Sequence, residues 1–234
     1  MLIKNGQAKI SEYIRADMSD APVKFKDAMI YGLNSGKRIR SLLVLGQPPQ
    51  KTEALAIEYI HSGLTIMYDM INHKQIRRGM PSLHLKYGCS TAGIVANLLI
   101  LRGLKYAGSD EVTRLTQLAL EEMTSFTTDT NAPPRTQIEK IRAHVSRMFV
   151  IAFLLSGVTL EIATDIGEAF GFCYYLANRT TAYETDLLSD KRLVLEYFTE
   201  NMKVAVTGFT RHKMWTPLLK ELTSYILAKF DRNN

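Results

Sequence analysis

The chain has 234 residues, 46% hydrophobic and 22% charged, enough apolar material for one globular domain with a sizeable core. Its net charge of +6 is modest and dispersed, and aromatic residues do not interleave with basic stripes, so a nucleic-acid partner is not expected. Cys89 and Cys173 lack metal-ligand or redox spacing, the start MLIKNGQAKISEYI lacks a signal-type apolar core, and no window nears the roughly 18 apolar residues of a membrane span; these features predict a cytoplasmic protein with no transmembrane segment.

Apolar residues recur at helical spacing almost throughout, and no run alternates in the manner of a strand, so the chain reads as all-α. Breakers fall at Asn34-Ser35-Gly36, Gly46-Gln47-Pro48-Pro49, Gly79-Met80-Pro81, Gly108-Ser109-Asp110, Asn131-Ala132-Pro133-Pro134 and Ser156-Gly157, dividing the chain into about ten helices. Ser109 followed by Asp110 and Glu111 predicts an N-capped helix start, and Thr136 with Glu139 has the spacing of a capping box. No internal repeat or low-complexity stretch interrupts the pattern, so the helices are expected to pack as one bundle over residues 1–234.

Three segments carry chemistry. Gly36-Lys37-Arg38-Ile39-Arg40 places three cations at a helix start, where backbone N–H groups already favour anions. In the apolar helix from about 50 to 72, His61, Thr65, Tyr68, Asp69 and Asn72 form one continuous polar stripe. The loop that follows, His73-Lys74-Gln75-Ile76-Arg77-Arg78-Gly79, carries paired arginines suited to bidentate contact with a phosphate. Taken singly, each also reads as a solvated basic surface or an ordinary helix histidine. Asp129, Asp165 and Glu168 read as solvated acids, and Trp215, Tyr174 and Tyr175 as core aromatics.

In order and spacing, SGKRIRSLLVL (35–45), IEYIHSGLTIMYDMINHKQIRRGMPSLHLKYG (57–88) and, more weakly, IGEAFGFCYYLAN (166–178) resemble the trans-polyprenyl diphosphate synthase family. The resemblance implies a single-domain helical bundle of the isoprenoid synthase type, in which two Asp-rich motifs bind magnesium and an allylic diphosphate. The metals assist departure of diphosphate, and isopentenyl diphosphate attacks the resulting cation. Family isopentenyl diphosphate contacts carry over as Lys37, Arg40, His61 and Arg78, and allylic diphosphate contacts as Arg77 and Lys191.

The departures from the family pattern are concentrated at its carboxylates. The first motif falls on Tyr68-Asp69-Met70-Ile71-Asn72, where only Asp69 is acidic; the second leaves Asn178, Arg179 and Ala182 at its carboxylate positions. The Lys-Thr pair that grips the allylic substrate becomes His144-Val145, the Gly-Asp of the middle helix becomes Ala96-Asn97, and the lysine-bearing loop before Lys191 is largely missing. Magnesium needs oxygen ligands, usually carboxylates, so the resemblance implies no catalytic residues and no metal site on this chain, with Mg²⁺ expected in an active partner. The implied role is a non-catalytic regulatory or structural subunit beside a homologous catalytic subunit with intact motifs. Autonomous prenyltransferase or terpene synthase-like chemistry is an alternative, although Ala182 stands between Asn178 and Asp186 where the latter needs a ligand; a plain isoprenoid-diphosphate binding protein is another. Gly63, small and five residues before the first motif, suits either a deep product tunnel or a close helix contact.

Overall fold

A computed structural model describes residues 1–34, 36–46, 50–125, 134–178 and 191–233. Its helices are α1 (Leu2–Asp17), α2 (Lys26–Leu33), α3 (Ile39–Leu45), α4 (Lys51–Ile71), α5 (Leu83–Tyr87), α6 (Cys89–Ala107), α7 (Asp110–Ser125), α8 (Pro134–Leu155), α9 (Leu160–Ala177), α10 (Lys191–Arg211) and α11 (Pro217–Asn233). The all-α expectation holds, with one local exception: Ile76–Arg77 (β1) and Met80–Pro81 (β2) form a two-residue antiparallel ladder. Ladders this short leave no alternating pattern to read in a sequence. The chain groups into two compact units, α1–α7 and α8–α11.

The centre of the first unit is α4, buried on nearly every side through Ala54, Leu55, Ile57, Tyr59, Ile60, Leu64 and Ile66. It runs antiparallel to α6, and the two backbones meet through reciprocal glycines. A Cβ on Gly63 would lie 2.7 Å from the Ala96 carbonyl oxygen and 2.6 Å from Ile100 Cγ1; one on Gly103 would lie 2.8 Å from the Ala56 carbonyl oxygen. Close packing therefore accounts for Gly63, which faces α6 and not a tunnel. A polar node fastens α1 to this pair. Asp17 accepts from Tyr59 Oη (2.6 Å), Arg102 Nε (2.8 Å) and Tyr106 Oη, while Arg102 Nη2 also donates to the Asp17 carbonyl (2.8 Å). At the start of α7 the Ser109 hydroxyl accepts from Val112 N at 3.3 Å, so Ser109 caps this helix as its sequence predicts.

In the second unit α9 is the buried element, packed on α8, α10 and α11. Phe153, Phe170 and Phe209 meet edge to face or tilted with centroids 5.5–5.9 Å apart, and Trp215 and Tyr174 join this cluster through Phe209 and Phe149 at 5.2 Å. The phenylalanines are the buried core, whereas Tyr174, Tyr175 and Trp215, expected there, are half-buried at its edge. Two further local expectations are corrected. Helix α8 begins at Pro134, so Thr136 already lies within it and is not a cap; proline's fixed φ suits the first helical position. Glu168 is not freely solvated: it is half-buried, burial pushes its carboxyl up, and Arg142 reaches it at 3.4 Å while also holding Glu139 at 3.1 Å. Asp165 is exposed, and Asp129 lies outside the described residues.

Candidate functional site: a cationic cluster on the first unit

Three elements converge to make the cluster. The start of α3 brings Arg38 and Arg40, the middle of α4 brings His61, and the β1–β2 hairpin brings Arg77 and Arg78. The hairpin turn is Arg78-Gly79, with φ of 54° and 78°. Positive φ at both central residues is the signature of a type I′ turn, which matches the twist of the flanking strands. Arg78 is thus a non-glycine residue held in the left-handed conformation that the turn requires.

Arg38 is in the same left-handed region at φ 57° and is only 7% exposed. Its guanidinium donates to Glu58 Oε1 and to the Leu33 carbonyl, and Ser41 Oγ donates to Glu58 Oε2 at 2.6 Å. Both charges are removed from water, so the trio is worth having only because nearly every donor and acceptor is matched. Gly36 closes over it: a Cβ there would stand 3.1 Å from Arg78 Nη1 and 3.4 Å from both Arg38 Nη1 and Glu58 Oε1. The Arg38–Glu58–Ser41 trio was missed at the sequence level; a lone acid inside the apolar run Ala56-Ile57-Glu58-Tyr59-Ile60 was the available signal.

Arg40 Nη1 lies 3.2 Å from His61 Nε2. A guanidinium only donates, so Nε2 must carry the lone pair, and the imidazole is neutral with its proton on Nδ1. Burial, followed by the charges of Arg40, Arg78, Arg77 and Arg38, holds His61 well below the usual histidine range. Arg78 Nη1 donates to the Asn34 carbonyl at 3.1 Å. Lys37 is exposed, and its carbonyl accepts from Gln7 Nε2 at 2.8 Å.

Asp69 does not face outward as a free carboxylate. It is 3% exposed, and Arg77 Nε donates to Oδ2 at 2.8 Å and to Oδ1 at 3.1 Å, with Arg77 Nη2 also on Oδ1. Tyr68 is half-buried, and Asn72 turns back on its own helix, its Nδ2 donating to the Tyr68 carbonyl at 2.9 Å. A small open cleft lies beside the pair, walled by Tyr31, Asn34, Ser62, Thr65, Asp69 and Arg78 among others. In the second unit, Asn178 Nδ2 donates to the Tyr174 carbonyl at 2.8 Å and Asn178 Oδ1 accepts from Lys229 Nζ. Lys191 is exposed as the first residue of α10; Arg179 and Ala182 lie outside the described residues.

Magnesium fits poorly at either position. Both Asp69 oxygens already face a guanidinium, and the Asn178 oxygen already faces an ammonium; a divalent cation would have to displace a fixed positive charge in each case. Among the described residues no three His, Cys, Asp or Glu side chains cluster so as to hold a metal, and no helix is long and apolar enough to cross a membrane.

A family described as Polyprenyl synthetase matches residues 22–131, which include the whole cationic cluster. Over 99 residues the chain is 29% identical to a geranylgeranyl diphosphate synthase of Sulfolobus acidocaldarius, a stretch covering 38% of this chain and 30% of that relative. In fold, it is similar to a geranyltranstransferase from Thermotoga maritima (TM-score 0.77, 21% identity, 97% of this chain and 100% of that one) and to a geranyltransferase from Legionella pneumophila (TM-score 0.76, 17% identity, 98% and 97%). The segment that builds the cluster is thus similar to the polyprenyl synthetase family over residues 22–131, and the chain shares the all-α fold of these prenyl transferases along nearly its full length.

Proposed function

We propose that this chain is a non-catalytic regulatory or structural subunit of a heteromeric trans-polyprenyl diphosphate synthase. In this reading the carboxylates and the Mg²⁺ needed for ionisation belong to a homologous catalytic subunit. The observation that carries it is the engagement of Asp69, the one acid left at the first motif position, by Arg77 through both oxygens. A carboxylate so held has little left to offer a metal–diphosphate complex.

What persists in the first unit is a group of polar side chains, cationic but for the neutral His61, suited to a diphosphate. Lys37, Arg40, His61 and Arg78 keep the places of isopentenyl diphosphate contacts, and Arg77 and Lys191 those of allylic contacts. A surface for the partner is offered by α6, where Ile94 is 43% and Leu101 64% exposed while Val95, Ala96 and Leu99 are buried. Exposed aliphatic side chains along one side of a long helix are costly unless covered.

The test is recovery of the tagged chain from its native cells, identification of co-purifying proteins by mass spectrometry, and assay of isopentenyl diphosphate transfer. A stoichiometric homologue with both Asp-rich motifs, and turnover only in the complex, supports the subunit reading. Mg²⁺-dependent turnover by the purified chain alone sinks it in favour of an autonomous enzyme.

A further inference from the structure

We infer that diphosphate binding in the cationic cluster is coupled to uptake of a proton by His61. The inference rests on the diphosphate pocket proposed above and adds to it a chemical linkage at one atom, His61 Nε2.

The geometry sets the starting state. Arg40 Nη1 stands 3.2 Å from Nε2, and because a guanidinium has no lone pair the contact exists only while Nε2 is unprotonated. The charged groups that face His61 are Arg38 and Arg40 from the start of α3, and Arg77 and Arg78 from the hairpin. Glu58, paired with Arg38, and Asp69, paired with Arg77, offset two of these charges, so Arg40, which meets the ring directly, and Arg78 weigh most on the imidazole. A neutral imidazole is thus held against Arg40 with Arg78 nearby, and a further positive charge on the ring is unfavourable without an anion.

A multiply charged anion reverses that balance. When a diphosphate takes up the guanidinium donors, Arg40 turns from the imidazole to the anion, and Nε2 is left beside negative oxygens. A solvent proton then binds Nε2, converting His61 from an acceptor for Arg40 into a donor to the anion; no covalent bond is made or broken. Partial burial of Arg40 and His61 strengthens both the repulsion before binding and the attraction after it. Because bound anion raises the proton affinity, protons raise the anion affinity in equal measure. Affinity should therefore grow as pH falls through the range in which His61 of the anion-bound protein titrates, by at most about tenfold per pH unit for one linked proton.

The experiment is calorimetric titration of the purified chain with inorganic pyrophosphate in EDTA, in buffers of different ionisation enthalpy, for wild type and His61→Gln. Glutamine accepts from Arg40 but cannot titrate, and proton exchange by pyrophosphate itself is common to both proteins. A larger proton uptake in wild type, with a steeper pH dependence of affinity, is the expected result. Equal uptake in the two proteins overturns the inference while leaving the pocket intact; no binding by wild type overturns the pocket as well. Should His61→Gln not fold, ¹⁵N spectra of the wild-type histidine rings decide: a ring that passes from the Nδ1–H tautomer to imidazolium on adding pyrophosphate supports the coupling, and rings that all stay unchanged on binding refute it.

Discussion

Arg77 lies side-on to Asp69, its Nε 2.8 Å from one carboxylate oxygen and 3.1 Å from the other, so a cation from the hairpin occupies the space in front of the last acid of the first motif position. The pair is asymmetric in burial, with Asp69 at 5% and Arg77 at 31% side-chain exposure. Truncating the arginine therefore strands a buried charge, whereas truncating the acid leaves a charge that can still reach water. Arg77→Ala is expected to cost about 2 to 4 kcal/mol and Asp69→Asn clearly less, as measured by urea unfolding.

The same pairing predicts indifference to metal. A ligand that binds only the folded state raises stability by RT ln(1 + [L]/Kd). Because Asp69 and Asn178 each already face an internal cation, the melting temperature of the isolated chain should be the same in EDTA and in millimolar Mg²⁺. An upward shift of several degrees on adding Mg²⁺, lost in Asp69→Asn, would contradict this.

The Asp17 node predicts how the first unit responds to acid. Burial alone pushes the Asp17 carboxyl up, but hydrogen bonds from Tyr106, Tyr59 and Arg102, with the Arg102 charge, outweigh it and hold the group below its usual value. The folded state thus binds this proton less readily than the unfolded chain. The contribution is fully present above the ordinary aspartate value of about 4 and is lost as pH falls through the lower folded value. Asp17→Asn should lower stability at neutral pH by about 1 to 3 kcal/mol and flatten the acid limb of a stability-versus-pH curve; an unchanged limb would remove Asp17 as its source.

Glu58 predicts a link between fold and anion site. Glu58→Ala leaves Arg38, itself 7% exposed, without its carboxylate, and should cost about 3 to 5 kcal/mol. Ser41→Ala removes one neutral donor from the same carboxylate and should cost about 1 kcal/mol. Pyrophosphate affinity measured on the folded Ser41→Ala protein should stay within a few-fold of wild type, since Arg38 keeps its partner.

Reciprocal glycines predict a packing role. Gly63→Ala would place a methyl 2.7 Å from the Ala96 carbonyl oxygen; the helices must part, at a cost of about 1 to 3 kcal/mol in chemical denaturation. Gly103→Ala should behave alike, because it meets Ala56 and Ile60 from the other side of the same contact.

Helical periodicity and the breakers were enough to determine an all-α chain, and the order Gly-Lys-Arg-x-Arg, Ile-His and Arg-Arg-Gly was enough to bring out its similarity to the polyprenyl synthetases, because they depend on local spacing and on residues close in sequence. The Ser109 cap was legible for the same reason. The two-residue ladder, the α8 start at Pro134 and the Arg142 bridge to Glu168 were not, since each depends on local turns or on partners from another helix. Tertiary structure alone decided which charges meet: Arg38 with Glu58, Arg77 with Asp69, Lys229 with Asn178 and Arg40 with a neutral His61, pairings spanning 8 to 51 positions. A residue type fixes what a side chain can donate or accept, but only the packed helices fix what stands in front of it, and that decides whether the one remaining acid is available to a metal.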